Sequence, residues 1–323
     1  MHSSTKETTS DLFLDISVII PVMNEANSII MLLKGLMIQS KKPKEIVIVD
    51  SGSVDGTLDN VLNFAPNLSD LNIHLTLLNN QGGLPGGNRN LGVTVARYEW
   101  IAFIDAGIVP SPDWLESLWL CMQKSRSKVI YGICKYDSES AFGKAVCAVS
   151  LGCGVCHPVL PASLFHRSVF TQVGYFREEL RAAEDLLWIN AVDKVYGARV
   201  ICEHAIVFYN QFPCNLIAVA KKWSLYQKHI IIAGLISIST WCLFLYFIIN
   251  IALIAFSPLV ALASFIFYII CRGFIFPCVR SGGIFWWRGS AISVLFAPLI
   301  AFVIDVAKIV TLFFIFKNFK KFN

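Results

Sequence analysis

Charge is what this chain has least of. Asp, Glu, Lys and Arg make up 15% of its 323 residues against 55% hydrophobic ones, a balance that excludes an ordinary soluble protein. The shortage is uneven: residues 1–229 read as an α/β globular region, whereas 230–316 carry almost no charge. The ten cysteines follow no even spacing, and no apolar signal segment precedes Ile16. A reducing compartment and free thiols are therefore expected. The net charge is a modest +5, and its basic residues cluster around the apolar segments. That suits a membrane surface better than nucleic acid. Gly82, Gly83, Gly86 and Gly87 lack the Lys-Ser/Thr ending of a Walker phosphate loop and read as a flexible loop. Cys153-Gly154-Val155-Cys156-His157 has the spacing of a haem attachment, but without an export signal neither haem nor zinc is expected there.

What is present is organised around Trp100 to Leu115. The apolar run Trp100 to Ile104 fits a strand buried on both faces and stops on Asp105. Pro110 and Pro112 then break regular structure, and Asp113 is placed to cap a helix carrying Trp114, Leu115 and Leu118. Three strand candidates come earlier: Ile16 to Pro21, Glu45 to Val49 and Ile73 to Leu78. The second runs into Asp50-Ser51-Gly52-Ser53 and Asp55-Gly56-Thr57. Helical spacing joins Ile29, Ile30, Leu32, Leu33, Leu36 and Met37, another helix starts near Thr57, and a third carries Arg89, Asn90 and Arg97. This β-α-β-α-β-α-β order, with strands too apolar to be half exposed, predicts an α/β fold: a mostly parallel sheet with helices on both faces. The loops after the first, second and fourth strands then meet at one edge. They bring Asn24, Glu25, Asp50, Ser51, Asp55 and Asp105 to the place where open α/β sheets bind ligands. In one loop alone such residues are ordinary turn formers; their recurrence at successive strand ends marks them.

Four segments in order, ISVIIPVMNEANSI, KEIVIVDSGSVDGT, GGNRNLGVTVARYEWIAFIDAGIVPSPDWL and VFTQVGYFREELRAAEDLLW, resemble the family 2 glycosyltransferases over roughly residues 15–210. The resemblance implies the Rossmann-like GT-A nucleotide-sugar fold and an inverting, membrane-anchored, bacterial-type member. It places Pro21, Asn24 and Glu25 along the nucleotide pocket, with Asp50 and Ser51 facing the base and Asp55 as a further candidate. Arg89 matches a basic residue near the donor diphosphate, a leaving group that needs cationic or amide stabilisation. By the same match Asp185 is the general base that deprotonates the acceptor hydroxyl. Its neighbour Glu184 points to another side of the helix start, so at most one of the two faces the site; a helix dipole also suits both. Lys222 and Trp223, with Lys221 and Tyr226, stand where many relatives carry a basic-aromatic motif near the diphosphate, and an interfacial anchor explains them equally well. The glycine-rich loop at 82–87 would cover the donor.

Asp105 falls on the first carboxylate of the family's metal-binding Asp-x-Asp motif, but Gly107 replaces the second. One carboxylate with diphosphate oxygens and water can hold Mg²⁺ or Mn²⁺ at reduced affinity. Alternatively Asp105 touches ribose or sugar hydroxyls, and the metal is weak or absent.

Ile230 to Phe256 and Pro258 to Phe276 each reach the roughly 20 residues that span a bilayer, with Arg272 expected to snorkel to the interface. A third apolar segment, from about Ser290 to Phe316, contains Asp305 and Lys308 one helical turn apart and read as an intrahelical pair. Residues 142–164 are mostly small and apolar and read as a helix or loop covering the acceptor side near the membrane. The expected domains are a loose N-terminus over 1–14, a GT-A domain over 15–228 and a membrane region over 229–323. Lys221, Lys222 and Lys228 put the start of the first span inside, and Arg280 and Arg288 mark the next inside loop. A full third span would put Lys317, Lys320 and Lys321 outside, against the positive-inside tendency, so this segment reads as either spanning or re-entrant.

Together these readings point to an integral protein of the plasma (inner) membrane with a cytoplasmic catalytic domain. It would move a sugar from a UDP- or GDP-type donor to a lipid-linked or polysaccharide acceptor. One alternative is a non-catalytic scaffold that kept the fold, as the missing second Asp would allow. The other is part of a processive polysaccharide synthase, for which the spans are too few to build a channel. The sugar, the acceptor and the oligomeric state are not legible.

Overall fold

The computed structural model describes residues 12–318; the expected loose segment falls largely outside them, as do Lys320 and Lys321. Packing divides the chain into two compact units, one of residues up to Lys135 with Cys156–Tyr209, the other of Tyr136–Val155 with Asn210 onward. The boundary expected at 228 lies within a helix that packs wholly in the second unit.

The strands are β1 (Phe13–Val22), β2 (Lys42–Asp50), β3 (His74–Asn79), β4 (Trp100–Phe103), β5 (Ile108–Pro110), β6 (Val129–Tyr136), β7 (Cys156–Pro158), β8 (Leu164–His166) and β9 (Val200–Tyr209). Among them run α1 (Ile29–Met37), α2 (Thr57–Asp70), α3 (Pro85–Val95), α4 (Trp114–Ser125), α5 (Ala141–Ser150), α6 (Ser168–Val173) and α7 (Glu184–Tyr196). The apolar runs Val18–Ile20 and Ile46–Val49 are fully buried, as strands covered on both faces must be.

The sheet order is β3-β2-β1-β4-β8-β6-β9-β5, with β7 on β6. Strands β1 to β4 pair in parallel. A mostly parallel sheet was expected, and here the structure differs: β8 runs antiparallel to β4, β6 to β8, and β5 to β9. Parallel pairing needs crossover helices, which α1, α2 and α3 supply between the first four strands. Strands of three residues such as β5, β7 and β8 carry no hydrophobic period to register. The order 3-2-1-4 reverses direction between β1 and β4, and it is at such a reversal, outside the carboxyl ends of the strands, that open α/β sheets form their ligand crevice. Helix α3 lies close over β1, because a Cβ at Gly92 would come within 2.5 Å of the Ile19 side chain. Phe103, Phe165, Phe170, Phe176 and Trp188 form an aromatic core, with the Phe176 and Trp188 centroids 4.6 Å apart.

The second unit contains α5 together with α8 (Leu216–Ile232), α9 (Ile238–Phe256), α10 (Pro258–Ile270), a π-helical turn (Cys271–Ile275), α11 (Phe276–Arg280) and α12 (Ser293–Asn318). Three stretches, Ile238–Phe256, Pro258–Arg280 and Ser293–Ile315, are helices long and apolar enough to cross a membrane. The first begins later than Ile230, because Gly234 takes a φ of +71° and Ser237 Oγ caps α9 by accepting the Thr240 N–H. Two expectations fail in this unit. Arg272 does not snorkel: its Nε and Nη2 donate to Asp305 Oδ2 and Oδ1 at 2.6 and 2.7 Å. Asp305 does not pair with Lys308, since Tyr268 Oη adds a third hydrogen bond at 2.9 Å and the planar guanidinium fork satisfies the carboxylate in a way a point ammonium on the same helix does not.

Candidate active site

Helix α3 carries three consecutive buried polar residues, Asn88, Arg89 and Asn90. Successive helical residues project about 100° apart, so each reaches a different loop. Asn88 Nδ2 donates to Ser51 Oγ at 2.8 Å and to the Val49 carbonyl at 3.2 Å, and its Oδ1 accepts from Asn80. Arg89 donates through Nη1 to Glu184 Oε1 at 2.6 Å and through Nη2 to Asp105 Oδ1 at 2.9 Å. Asn90 Nδ2 donates to the Phe176 carbonyl and Glu178, while its Oδ1 accepts the Phe176 N–H. One helix therefore ties together the loops after β2 and β4 and the segment before α7.

The glycines before it behave differently from the flexible loop expected. Pro85 opens α3, and Gly86 and Gly87 lie in its first turn. A Cβ on Gly86 would sit 2.5 Å from the Arg177 carbonyl, so the bare backbone lets residues 177–178 pack against the helix.

The loops after β1 and β2 come together, largely through their own hydrogen bonds. Asp50, expected to face the base, is fully buried, and its Oδ2 accepts the Gly52 and Ser53 N–H groups at 2.7 and 2.9 Å. That is the geometry of an Asx turn. Ser51 is buried beneath Asn88. Asn24, with a left-handed φ of +58°, accepts the Val54 N–H, and Glu25 N–H donates to Thr57 Oγ1. Asp55 accepts from Ala26 and Thr57, and the Thr57 hydroxyl bond, ahead of the Ala26 one, holds its pKa below the ordinary value. Pro21 pairs with Val49 on the β2 side, beyond the last residue of β1 that pairs with β4. Asn24 stays exposed and Glu25 half-buried, on the rim of the crevice.

At its centre the charges are unbalanced. The side chains of Arg89 and Glu184 are 5% and 6% exposed, that of Asp105 40%. Burial by itself disfavours the guanidinium charge, but Asp105, Glu184 and Asp185 outweigh it and raise the Arg89 pKa. Arg89, expected near a diphosphate, is paired here with Glu184 and Asp105, as a desolvated cation needs its counter-charges. It holds two carboxylates in place, with its Nε left without a partner and its guanidinium 5.8 Å from the Phe176 ring.

Glu184 and Asp185 open α7 after Ala183, whose left-handed φ of +68° strains the backbone by roughly 1–2 kcal/mol. This turn separates the pair, burying Glu184 on Arg89 and leaving Asp185 half-buried. Burial first, then the Glu184 charge, push Asp185 up to about 6, with Arg89 opposing. Its Oδ1 accepts the Leu186 N–H at 2.8 Å. Asn88, Asn90 and Phe176 are site residues that motif reasoning passed over. The signal was present in GGNRN, where amides flank the arginine on a helix that should otherwise bury apolar side chains.

No group of three or more His, Cys, Asp or Glu that could hold a metal occurs among the described residues. Asp105 accepts Arg89 through Oδ1 alone, and its side chain is 40% exposed. Lys222 and Trp223 belong to the second unit, where the ammonium lies 5.8 Å over the Trp223 ring.

The family model described as Glycosyl transferase family 2 matches residues 17–147. An uncharacterized glycosyltransferase of Rickettsia conorii is 30% identical over 190 residues, covering 55% of this chain and 30% of that protein. The poly(ribitol-phosphate) beta-N-acetylglucosaminyltransferase TarS of Staphylococcus aureus is 28% identical over 181 residues, covering 53% of this chain and 31% of its own. The chain thus spans about a third of the length of these curated relatives. Among solved structures, the mannosyltransferase PcManGT of Pyrobaculum calidifontis, in complex with GDP-Man and Mn²⁺, superposes with a TM-score of 0.61 at 15% identity, covering 91% of this chain and 86% of that one. That likeness shows a shared fold. The matched segment runs from β1 past β4 and Asp105 into α5, and over it the chain is similar to glycosyltransferase family 2, with the GT-A fold in its first unit.

Proposed function

We propose that the chain is an inverting glycosyltransferase whose base is Asp185. The observation that carries this is a carboxylate raised to about 6 beside a buried Glu184–Arg89–Asp105 cluster at the end of β4. A group with that pKa is ionised near neutral pH yet basic enough to take a proton.

In this reading the donor lies along Pro21, Asn24 and Glu25, with Asp105 toward its ribose or diphosphate. Asp185 accepts the proton of an acceptor hydroxyl. The hydroxyl oxygen bonds to the anomeric carbon from the face opposite the diphosphate, and the nucleoside diphosphate leaves with the electron pair of the broken C–O bond. Arg89 positions Asp105 and Glu184 and keeps the second charge near the base. A divalent ion fits the residues present only as a one-carboxylate site on the open oxygen of Asp105, where it would neutralise the leaving diphosphate.

The three apolar helices support an anchored enzyme at the cytoplasmic face of the inner membrane. Such an anchor raises the local concentration of a lipid-linked acceptor, which favours that acceptor over free polysaccharide. The donor class is read from the relatives: PcManGT binds GDP-Man, and TarS is named for N-acetylglucosaminyl transfer.

A thermal-shift panel of UDP- and GDP-sugars with and without Mn²⁺ tests the reading. One donor should raise the melting temperature, and Asp105→Ala should weaken both that rise and donor turnover. If no nucleotide sugar is bound or hydrolysed, the scaffold alternative stands instead.

A further inference from the structure

The second unit holds more positive charge than it neutralises. Its acidic residues are Asp137, Glu139 and Asp305; Asp137 pairs with Lys144, and both oxygens of Asp305 are engaged by Arg272 and Tyr268. Yet Lys222, Arg272, Arg280 and Lys308 all line one cavity of about 410 Å³. A neighbouring cavity of about 610 Å³ shares Thr240, Arg272, Arg280 and Lys308 with it. Arg280 donates to the Val149 and Ser150 carbonyls, which fixes its place without supplying a counter-charge. Lys308 makes no hydrogen bond or ion pair among the described residues. Gln227 lines the first cavity at 4% exposure, and its buried Nε2 has no acceptor.

A buried amide donor without an acceptor, beside Arg280 and Lys308 with no carboxylate bound to either, is a costly arrangement in a protein alone. Among helices apolar enough to cross a membrane it is costlier, because water is not there to compensate. The missing component must carry negative charge and several acceptor oxygens. It must also tolerate hydrocarbon surroundings: Ile230 and Ile304 wall the cavity, and Ile251, Ile254, Leu259 and Phe267 are exposed on the neighbouring α9 and α10. A phosphate matches arginine and lysine donors and still has an oxygen for an amide. Basic pockets between membrane helices hold phospholipid head groups on this principle.

We propose that this cavity binds the phosphate or diphosphate head of a membrane lipid, whose chain lies along α9 and α10. Binding does not depend on the transferase reading; only the lipid's further role as a phosphate-bearing acceptor rests on it.

The test uses the full chain in detergent, with bound lipid counted by native mass spectrometry. The probes are a polyprenyl monophosphate, the parent polyprenol, and inorganic phosphate as competitor. The monophosphate should bind at least roughly tenfold more tightly than the polyprenol, the scale of one charge-assisted contact. Lys308→Gln should weaken binding by about tenfold and Gln227→Leu by a few-fold, with unchanged melting temperatures. Equal binding of polyprenol, or no loss in either variant, overturns the site. Displacement by inorganic phosphate at concentrations equal to the lipid's overturns the lipid as its source. Lipid binding that persists without any donor-induced thermal shift supports the site and defeats only the transferase reading.

Discussion

Two arginines, one in each unit, are buried against carboxylates, and their surroundings differ in sign. Arg89 meets Glu184 and Asp105, with Asp185 next in the chain, so carboxylates outnumber the cation. Arg272 meets only Asp305, with Arg280, Lys308 and Lys222 around the same cavity, so cations outnumber the carboxylate. The pairs look alike bond by bond. On the two proposals above, the surplus charge decides what each region does: surplus carboxylate beside a satisfied pair supplies the base, whereas surplus cation offers a place for an anion. Neither property belongs to the arginine itself.

The comparison breaks first at the base. Asp185→Asn should lower kcat by roughly 10²–10⁴-fold in a steady-state assay while donor binding survives in the thermal-shift panel; full activity would remove Asp185 from the mechanism. Next come the pairs themselves. Arg89→Met leaves Glu184 buried without a counter-charge and should cost about 3–5 kcal/mol of stability, read from denaturant or thermal unfolding. A loss under about 1 kcal/mol would show that the carboxylates do not need the arginine. Asp305→Asn should cost somewhat less, about 3 kcal/mol, because Arg272 keeps 12% of its side-chain surface exposed and Tyr268 still offers an oxygen. A cost larger than that of Arg89→Met would reverse the ranking of the two pairs.

The smallest effect is a shift in pH dependence. Asp185 carries its proton below a pKa of about 6, so under the proposed mechanism, in which it acts as the base, kcat/KM should rise through that pH and then level off. Because the folded-state pKa lies above the ordinary aspartate value of 3.8, folding takes up a proton between those two values. The contribution of this group to stability therefore falls as pH rises through that window. Glu184→Gln removes a like charge and should move the acid limb to lower pH. A limb that stays put would mean burial alone sets the shift.

Where the candidate site residues stand in the fold was legible because the signals there are local. Apolar strands that end on Asp50 and Asp105, the Asn24-Glu25 turn and the acidic start of α7 each lie within a few residues. Roles were harder to read than positions. Asp50 and Asp105 both end strands on a carboxylate, yet Asp50 is turned inward by Gly52 and Ser53 while Asp105 stays half open. Which of Glu184 and Asp185 faces the crevice depends on a left-handed Ala183, and alanine carries no signal for that conformation. Arg272 was misjudged because its partner lies 33 positions away, while the nearer Lys308 looked sufficient.

By itself the sequence determined which stretches must leave water and in what order they alternate, because burial of apolar runs and turn chemistry act over a few neighbouring residues. That was enough for the parallel half of the sheet, the crevice at the β1–β4 reversal and three membrane-length helices. Only the tertiary structure decided which charges meet: Arg89 with Glu184 across 95 positions, Arg272 with Asp305 across two helices. Electrostatic pairing is strongest where water is excluded, and exclusion is a property of the packed chain rather than of any segment in it.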